Sequence, residues 1–245
     1  MIFSFFKKKR EKREGDTPEI LTDIHSHLIP GIDDGARDIN ESLMLLRGMK
    51  ELGYKKVITT PHIMFDGYKN TPQNIHEGLK ALRLAAKEEN IDIEIDAAAE
   101  YYLDDGFYDK LSDENLLTIG EYLLVETSYV SKPLQFDEMI FEIQAAGFKP
   151  ILAHPERYRY IKDPQREYQA MKEKGIYFQV NLNSFSGHYG KEAKKKIDFL
   201  NNAGMIDFLG SDVHRMKQVE ILGEVLKSDT LRSVFKHNTI LNADL

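Results

Sequence analysis

The segment ILTDIHSHLIPGIDDGARDINESLMLLRGMKELGYKKVITTPH, residues 20–62, decides the fold. Its opening run, 20–25, is apolar and closes on His25, with His27 two residues on. Leu43, Leu46 and Met49 then recur at helical spacing, which predicts a helix over 39–52 stopped by Gly53. A second apolar run, 56–60, leads into Pro61 and His62. Strand, helix and strand in that order imply a parallel pair.

Outward from this unit the same alternation continues. Apolar runs predict strands over 91–97, 122–126, 150–154, 177–181 and 207–211. Helical patterns cover 74–89, 135–146, 165–174 and 191–203, the last three stopped by Gly147, Gly175 and Gly204. The strand runs are continuously apolar rather than alternating, as expected of strands covered on both faces. Seven such units in about 230 residues predict an α/β fold, a distorted seven-stranded (β/α)7 TIM-like barrel in a single domain. A doubly wound open sheet is the second choice.

Composition supports a buried core: the 245 residues are 42% hydrophobic and 30% charged. The absence of cysteine excludes disulfides, thiolate metal sites and a cysteine nucleophile, and fits a reducing compartment such as the cytoplasm. Net charge is −7, yet residues 7–14 (KKKREKRE) carry +4, so the rest is more acidic still. An acidic body argues against nucleic acid as a partner. The first six residues, MIFSFF, are far too short to span a bilayer. Residues 1–17 read as a flexible tail, or as a weak contact with the membrane surface in which Phe3, Phe5 and Phe6 insert beside Lys7–Arg10. The folded domain is expected over 18–245.

Five of the eight histidines fall at or just beyond predicted strand ends: His25, His27, His62, His154 and His214. Glu100, Glu126 and Asp212 occupy comparable places, and Asp33 and Asp34 follow the first histidine pair. In a parallel barrel all strand C-termini open on one face, so these residues converge. His25 and His27, two apart on an extended segment, leave on the same side, as do Asp212 and His214. A lone strand-end histidine is more often packed or hydrogen-bonded than a ligand; five with acidic company outweigh that reading. Imidazole and carboxylate without thiolate suit Mn²⁺, Fe or Zn²⁺. His76 and His237 are expected to be structural or solvated, and His188 is a candidate substrate contact.

The ordered set His25-Ser26-His27, Asp33-Asp34-Gly35, Thr60-Pro61-His62, Glu100, His154-Pro155-Glu156-Arg157 and Ser211-Asp212-Val213-His214 resembles the PHP (polymerase and histidinol phosphatase) superfamily. Within it, residues 25–62 are similar to the CpsB/CapC type of bacterial protein-tyrosine phosphatase. The resemblance implies a trinuclear, usually Mn²⁺-dependent centre. His25, His27, Glu100 and Asp212 would hold one ion. Glu100, Glu126 and His154 would hold a second, and Asp34 (rather than Asp33), His62 and His214 a third. Arg157 matches a phosphate-binding arginine, while the second such cation falls to Arg215 or Lys217, without an exact match to the family's spacing.

The implied activity is phosphotyrosine hydrolysis by metal-activated hydroxide, on a bacterial tyrosine kinase that controls capsule or exopolysaccharide synthesis, in the cytoplasm or at the inner membrane face. Tyr101, Tyr102, Phe107 and Tyr108 either pack against the phosphotyrosine ring or fill a loop core. Alternatives on the same barrel are a small-molecule phosphatase such as a histidinol-phosphate phosphatase, a nuclease, and a metal-binding scaffold that captures phosphotyrosine without hydrolysis.

Overall fold

The computed structural model describes residues 19–112 and 115–245. The tail at 1–17, and with it the membrane-surface reading, lies outside the described residues. Element order is β1 (Thr22–Asp23), α1 (Ile39–Glu51), β2 (Lys56–Thr59), β3 (His62–Ile63), α2 (Pro72–Glu88), β4 (Glu94–Ala97), β5 (Glu100–Tyr102), α3 (Phe107–Leu111), β6 (Tyr122–Glu126) and α4 (Phe136–Ala145). It continues with β7 (Lys149–Ala153), α5 (Pro164–Glu173), β8 (Tyr177–Asn181), α6 (Lys191–Asn202), β9 (Phe208–Gly210), α7 (Met216–Lys227) and α8 (Thr230–His237).

Local chemistry sets the helix ends. Asp38 accepts from the Glu41 N–H at the start of α1, and Asp163 accepts from the Arg166 N–H at the start of α5. Thr71 and Asn74 form a reciprocal capping box around α2, with Pro72 in its first turn. Helices α1, α4, α5 and α6 each end two residues before Gly53, Gly147, Gly175 and Gly204, where the sequence places their stops.

The strands form two parallel sheets, ordered β1-β2-β4 and β3-β5-β6-β7-β8-β9. The predicted strands at 56–60 and 91–97 appear as β2 and β4, and each is followed, after a gap of two residues, by a short strand that the sequence did not predict, β3 and β5. Pro61 lies in the first gap and has no N–H to give a ladder. Pairing nevertheless runs on: the Ala98 N–H donates to Thr59 O at 2.9 Å and the Glu100 N–H to Pro61 O at 3.1 Å. At the far side, the His27 N–H donates to Val213 O at 3.0 Å and the Asp212 N–H to His25 O at 2.7 Å. The segment after β9 is therefore bonded to the segment after β1.

Side chains alternate between two cores. On β6, Leu123 and Val125 join a large core with the helices, whereas Leu124 joins a smaller one. On β7, Leu152 faces the first core, and Ile151 and Ala153 the second. The smaller core also takes Ile24, Ile58, Ala98, Ile119 and Phe208. Burying each large side chain contributes about 1.5–3 kcal/mol. This double coverage explains why the runs at 122–126 and 150–154 are continuously apolar; β4 instead alternates and leaves Glu94 exposed.

Candidate metal centre

The nine predicted ligands come together. His25 and His27 are fully buried, with their Nε2 atoms 3.3 Å apart. Both face Glu100 Oε2, at 3.2 and 3.5 Å, and Asp212 Oδ1, at 3.6 Å each. His154 Nε2 lies 3.0 Å from Glu100 Oε1 and 3.8 Å from Glu126 Oε2. Asp34 Oδ1 lies 3.4 Å from His62 Nε2 and 3.2 Å from His214 Nε2. His62 Nδ1 in turn sits 2.9 Å from Glu126 Oε1, so the second and third groups share a wall.

Backbone geometry is unusual where it aims these groups. His154 and Asp212 hold φ of 33° and 50°, a left-handed conformation that costs energy in residues with a Cβ. Gly35 completes the first loop because a Cβ there would stand 2.2 Å from His27 O.

The two adjacent aspartates divide their work. The Asp33 side chain is buried and accepts from His27 Nδ1 at 2.8 Å and from the Gly35 N–H at 2.9 Å. Asp34, with a side chain 52% exposed, is the one that reaches His62 and His214.

The carboxylates of the cluster stay ionised and, without a metal, draw protons onto the surrounding imidazoles. Burial disfavours a charged Glu100, yet His25, His62 and His154 hold it well below the usual carboxylate range. Asp212 is likewise held low against burial by His25, His214 and Arg157. Burial also opposes a proton on His27, but Asp33 pushes it up to about 10. The pocket is a dense set of ionised oxygens and imidazole nitrogens, and the buried His154 Nδ1 makes no hydrogen bond. Among the described residues, four groups of three or four side chains have donor atoms close enough to share an ion. This nitrogen–oxygen donor set fits divalent ions.

Arg157 stands beside the cluster on the short turn after β7. Its Nη1 donates to Asp212 Oδ2 at 2.7 Å, and its guanidinium lies 4.6 Å from the Tyr129 ring and 4.2 Å from the Tyr189 ring. Arg215 is placed differently. Its Nη1 donates to the carbonyls of Gly35 and His214, which ties the last loop to the first rather than presenting that nitrogen to the cluster. Lys217 pairs with Glu220 on its own helix at 3.0 Å.

The proposed aromatic ring contacts are redistributed. Tyr101 and Phe107 are core residues and Tyr108 packs against that core, so these three fill the loop. Tyr102 instead lines a cleft of about 350 Å³ with Met64, Phe65, Ser128 and Pro133, just beyond the ends of β3, β5 and β6. A cleft of about 700 Å³ lined by Arg83, Lys87 and Glu94 includes none of the candidate ligands. His188 is exposed against Tyr189, and His76 and His237 are exposed on helices.

Sequence reasoning missed Asp33's role, the two tyrosines around Arg157, and the buried amides Gln179 and Asn181. Only the side-by-side Asp33-Asp34 carried a signal.

The model of the family described as capsular polysaccharide synthesis, CpsB/CapC, matches residues 21–221. The chain is 30% identical over 199 residues to the tyrosine-protein phosphatase YwqE of Bacillus subtilis (strain 168), covering 80% of this chain and 78% of that protein. It is 27% identical over 203 residues to the tyrosine-protein phosphatase CpsB of Streptococcus pneumoniae, covering 80% and 84%. A crystal structure from work on YwqE and CpsB as metal-dependent tyrosine phosphatases superposes with a TM-score of 0.77 at 28% identity, covering 89% of this chain and 96% of that one. With a family match across most of its length and a clustered imidazole–carboxylate site, this chain belongs to the CpsB/CapC family.

Proposed function

We propose that this chain is a metal-dependent protein-tyrosine phosphatase. The observation that carries the proposal is the juxtaposition of the imidazole–carboxylate donor cluster with Arg157, whose Nη1 shares Asp212 with that cluster. We read the two parallel sheets as one seven-stranded (β/α) barrel with its C-terminal mouth at this cluster, in a single domain over 18–245. His25, His27, Glu100 and Asp212 would hold one ion, Glu100, Glu126 and His154 a second, and Asp34, His62 and His214 a third, with Mn²⁺ the expected metal. Divalent ions held by these residues would acidify water and neutralise phosphoryl charge.

The chain's own groups do the rest. Arg157 binds phosphoryl oxygens: a guanidinium offers five N–H donors in a rigid fork, and the Asp212 bond uses one of them. Tyr129 and Tyr189 flank the guanidinium and hold its plane. Burial of His25, His27, Glu100, Glu126, His154 and Asp212 keeps bulk water from that part of the cluster and strengthens the charge interactions there. Phenolate, with a pKa of about 10, departs more readily than an alkoxide, which favours phosphotyrosine over phosphoserine. With no cysteine in the chain, no thiol phospho-enzyme forms.

The expected substrate is a phosphotyrosine protein, a bacterial tyrosine kinase of capsule or exopolysaccharide synthesis, met at the cytoplasmic face of the membrane. Among the described residues no helix is long and apolar enough to cross a membrane.

One panel tests this. Metal-quantified protein is offered an aryl phosphate, phosphotyrosine and phosphoserine peptides, and histidinol phosphate. Aryl and phosphotyrosine turnover, abolished by chelation and restored by Mn²⁺, is expected. Full turnover in metal-free protein overturns the proposal, and preference for histidinol phosphate replaces it with a small-molecule phosphatase.

A further inference from the structure

Strand β8 carries two amides, Gln179 and Asn181, two residues apart and so on one face of the strand. Both are fully buried. Asn181 Nδ2 lies 2.6 Å from Asp212 Oδ2, Gln179 Nε2 lies 3.0 Å from Asn181 Oδ1, and Gln179 Oε1 lies 2.7 Å from His25 Nδ1.

The direction of this chain of bonds is forced. Asp212 Oδ2 already accepts from Arg157, whose guanidinium can only donate. The Asn181 atom beside that oxygen must therefore be its NH₂. Asn181 then turns its carbonyl oxygen to Gln179, which must answer with its own NH₂. That leaves Gln179 Oε1 facing His25, which must donate from Nδ1.

Two consequences follow at the cluster. His25 keeps its proton on Nδ1, so Nε2 is the atom turned toward Glu100 and His27. Asp212 has Oδ2 occupied twice, so Oδ1 is the oxygen that faces His25, His27 and His214. Gly210 makes room for the relay: a Cβ there would stand 2.5 Å from Gln179 Nε2 and 2.8 Å from His25 Cβ.

We propose that Gln179 and Asn181 form a positioning relay that sets, from one strand, which nitrogen of His25 and which oxygen of Asp212 are presented to the ions. This rests on reading the cluster as a metal centre. It goes further in assigning ligand orientation to residues that touch neither ion nor substrate.

The test compares wild type with Gln179→Leu, Gln179→Glu and Asn181→Leu. Divalent-ion affinity is measured by calorimetry, and the His25 Nδ1–H is followed by ¹⁵N-resolved NMR in the Zn²⁺-loaded protein. Wild type is expected to bind ions and to show a slowly exchanging His25 Nδ1–H. Gln179→Leu and Asn181→Leu should weaken ion binding by about 10–100-fold, and Gln179→Leu should also expose the Nδ1–H to fast exchange. Gln179→Glu keeps the volume, guarding against a folding failure. It should preserve the protected Nδ1–H, because a carboxylate still accepts. It should still weaken ion binding, because it sets oxygen against Asn181 Oδ1. Wild-type affinity in all three variants, or an unprotected Nδ1–H in wild type, overturns the relay. A wild-type chain that binds no divalent ion overturns the metal-centre reading instead.

Discussion

Replacing Arg157 separates phosphate binding from metal binding, because the structure gives Asp212 a second anchor. In Arg157→Met the guanidinium leaves Asp212 Oδ2, but Asn181 Nδ2 remains 2.6 Å from the same oxygen. Asp212 should therefore keep its orientation, and the metal content should stay that of wild type. What is lost is a planar cation held between Tyr129 and Tyr189 and poised for phosphoryl oxygens. Removing one preorganised donor to a developing oxyanion costs about 2.7–4 kcal/mol. At about 1.36 kcal/mol per tenfold, that is a fall of about 10²–10³ in kcat/KM. Arg157→Lys restores charge without the fork and should recover only part of the loss. The assay is steady-state hydrolysis of an aryl phosphate by protein whose metal is quantified in the same sample. Loss of metal in step with activity, or kcat/KM within threefold of wild type, would refute the reasoning.

Two other outcomes are expected. Asp33 holds His27 up at about 10 in the metal-free chain, against an ordinary value of 6.5. A group raised on folding contributes stability that is fully present below its unfolded pKa and is lost as pH rises through the folded value. His27 should therefore contribute a fall in Tm in chelator between pH 6.5 and about 10, and Asp33→Asn should flatten that slope; an unchanged slope in the variant removes the Asp33–His27 pair as its cause. Gly35→Ala would place a Cβ 2.2 Å from His27 O and 2.4 Å from His27 Cβ, so the loop must shift. Denaturant titration should show a loss of about 1–3 kcal/mol together with weaker ion binding, and wild-type values for both would show that the loop yields freely.

The strand–helix alternation was legible because burial on both faces writes itself as continuous apolar runs. β6 and β8 coincide with the runs at 122–126 and 177–181. β3 and β5 were not legible. They are two and three residues long, follow a proline or a pair of alanines, and exist only through pairing with neighbours distant in the chain. The aromatic residues after Glu100 could be read either way, since a loop core and a ligand platform use the same side chains. Burial decides for the core at Tyr101 and Phe107.

By itself the sequence determined the donor chemistry and placed most donors at or just past strand ends, because residue type and periodicity are local properties; His62 and Glu100 instead open β3 and β5. It named Asp34 only by resemblance. Tertiary structure decided the division between Asp33 and Asp34, the turning of Arg215 onto the Gly35 and His214 carbonyls, and the Gln179–Asn181 relay onto His25 and Asp212. A hydrogen bond is fixed by distance and direction in space. His25 and Gln179 lie 154 residues apart in the chain and 2.7 Å apart in the fold, so no local pattern records their contact.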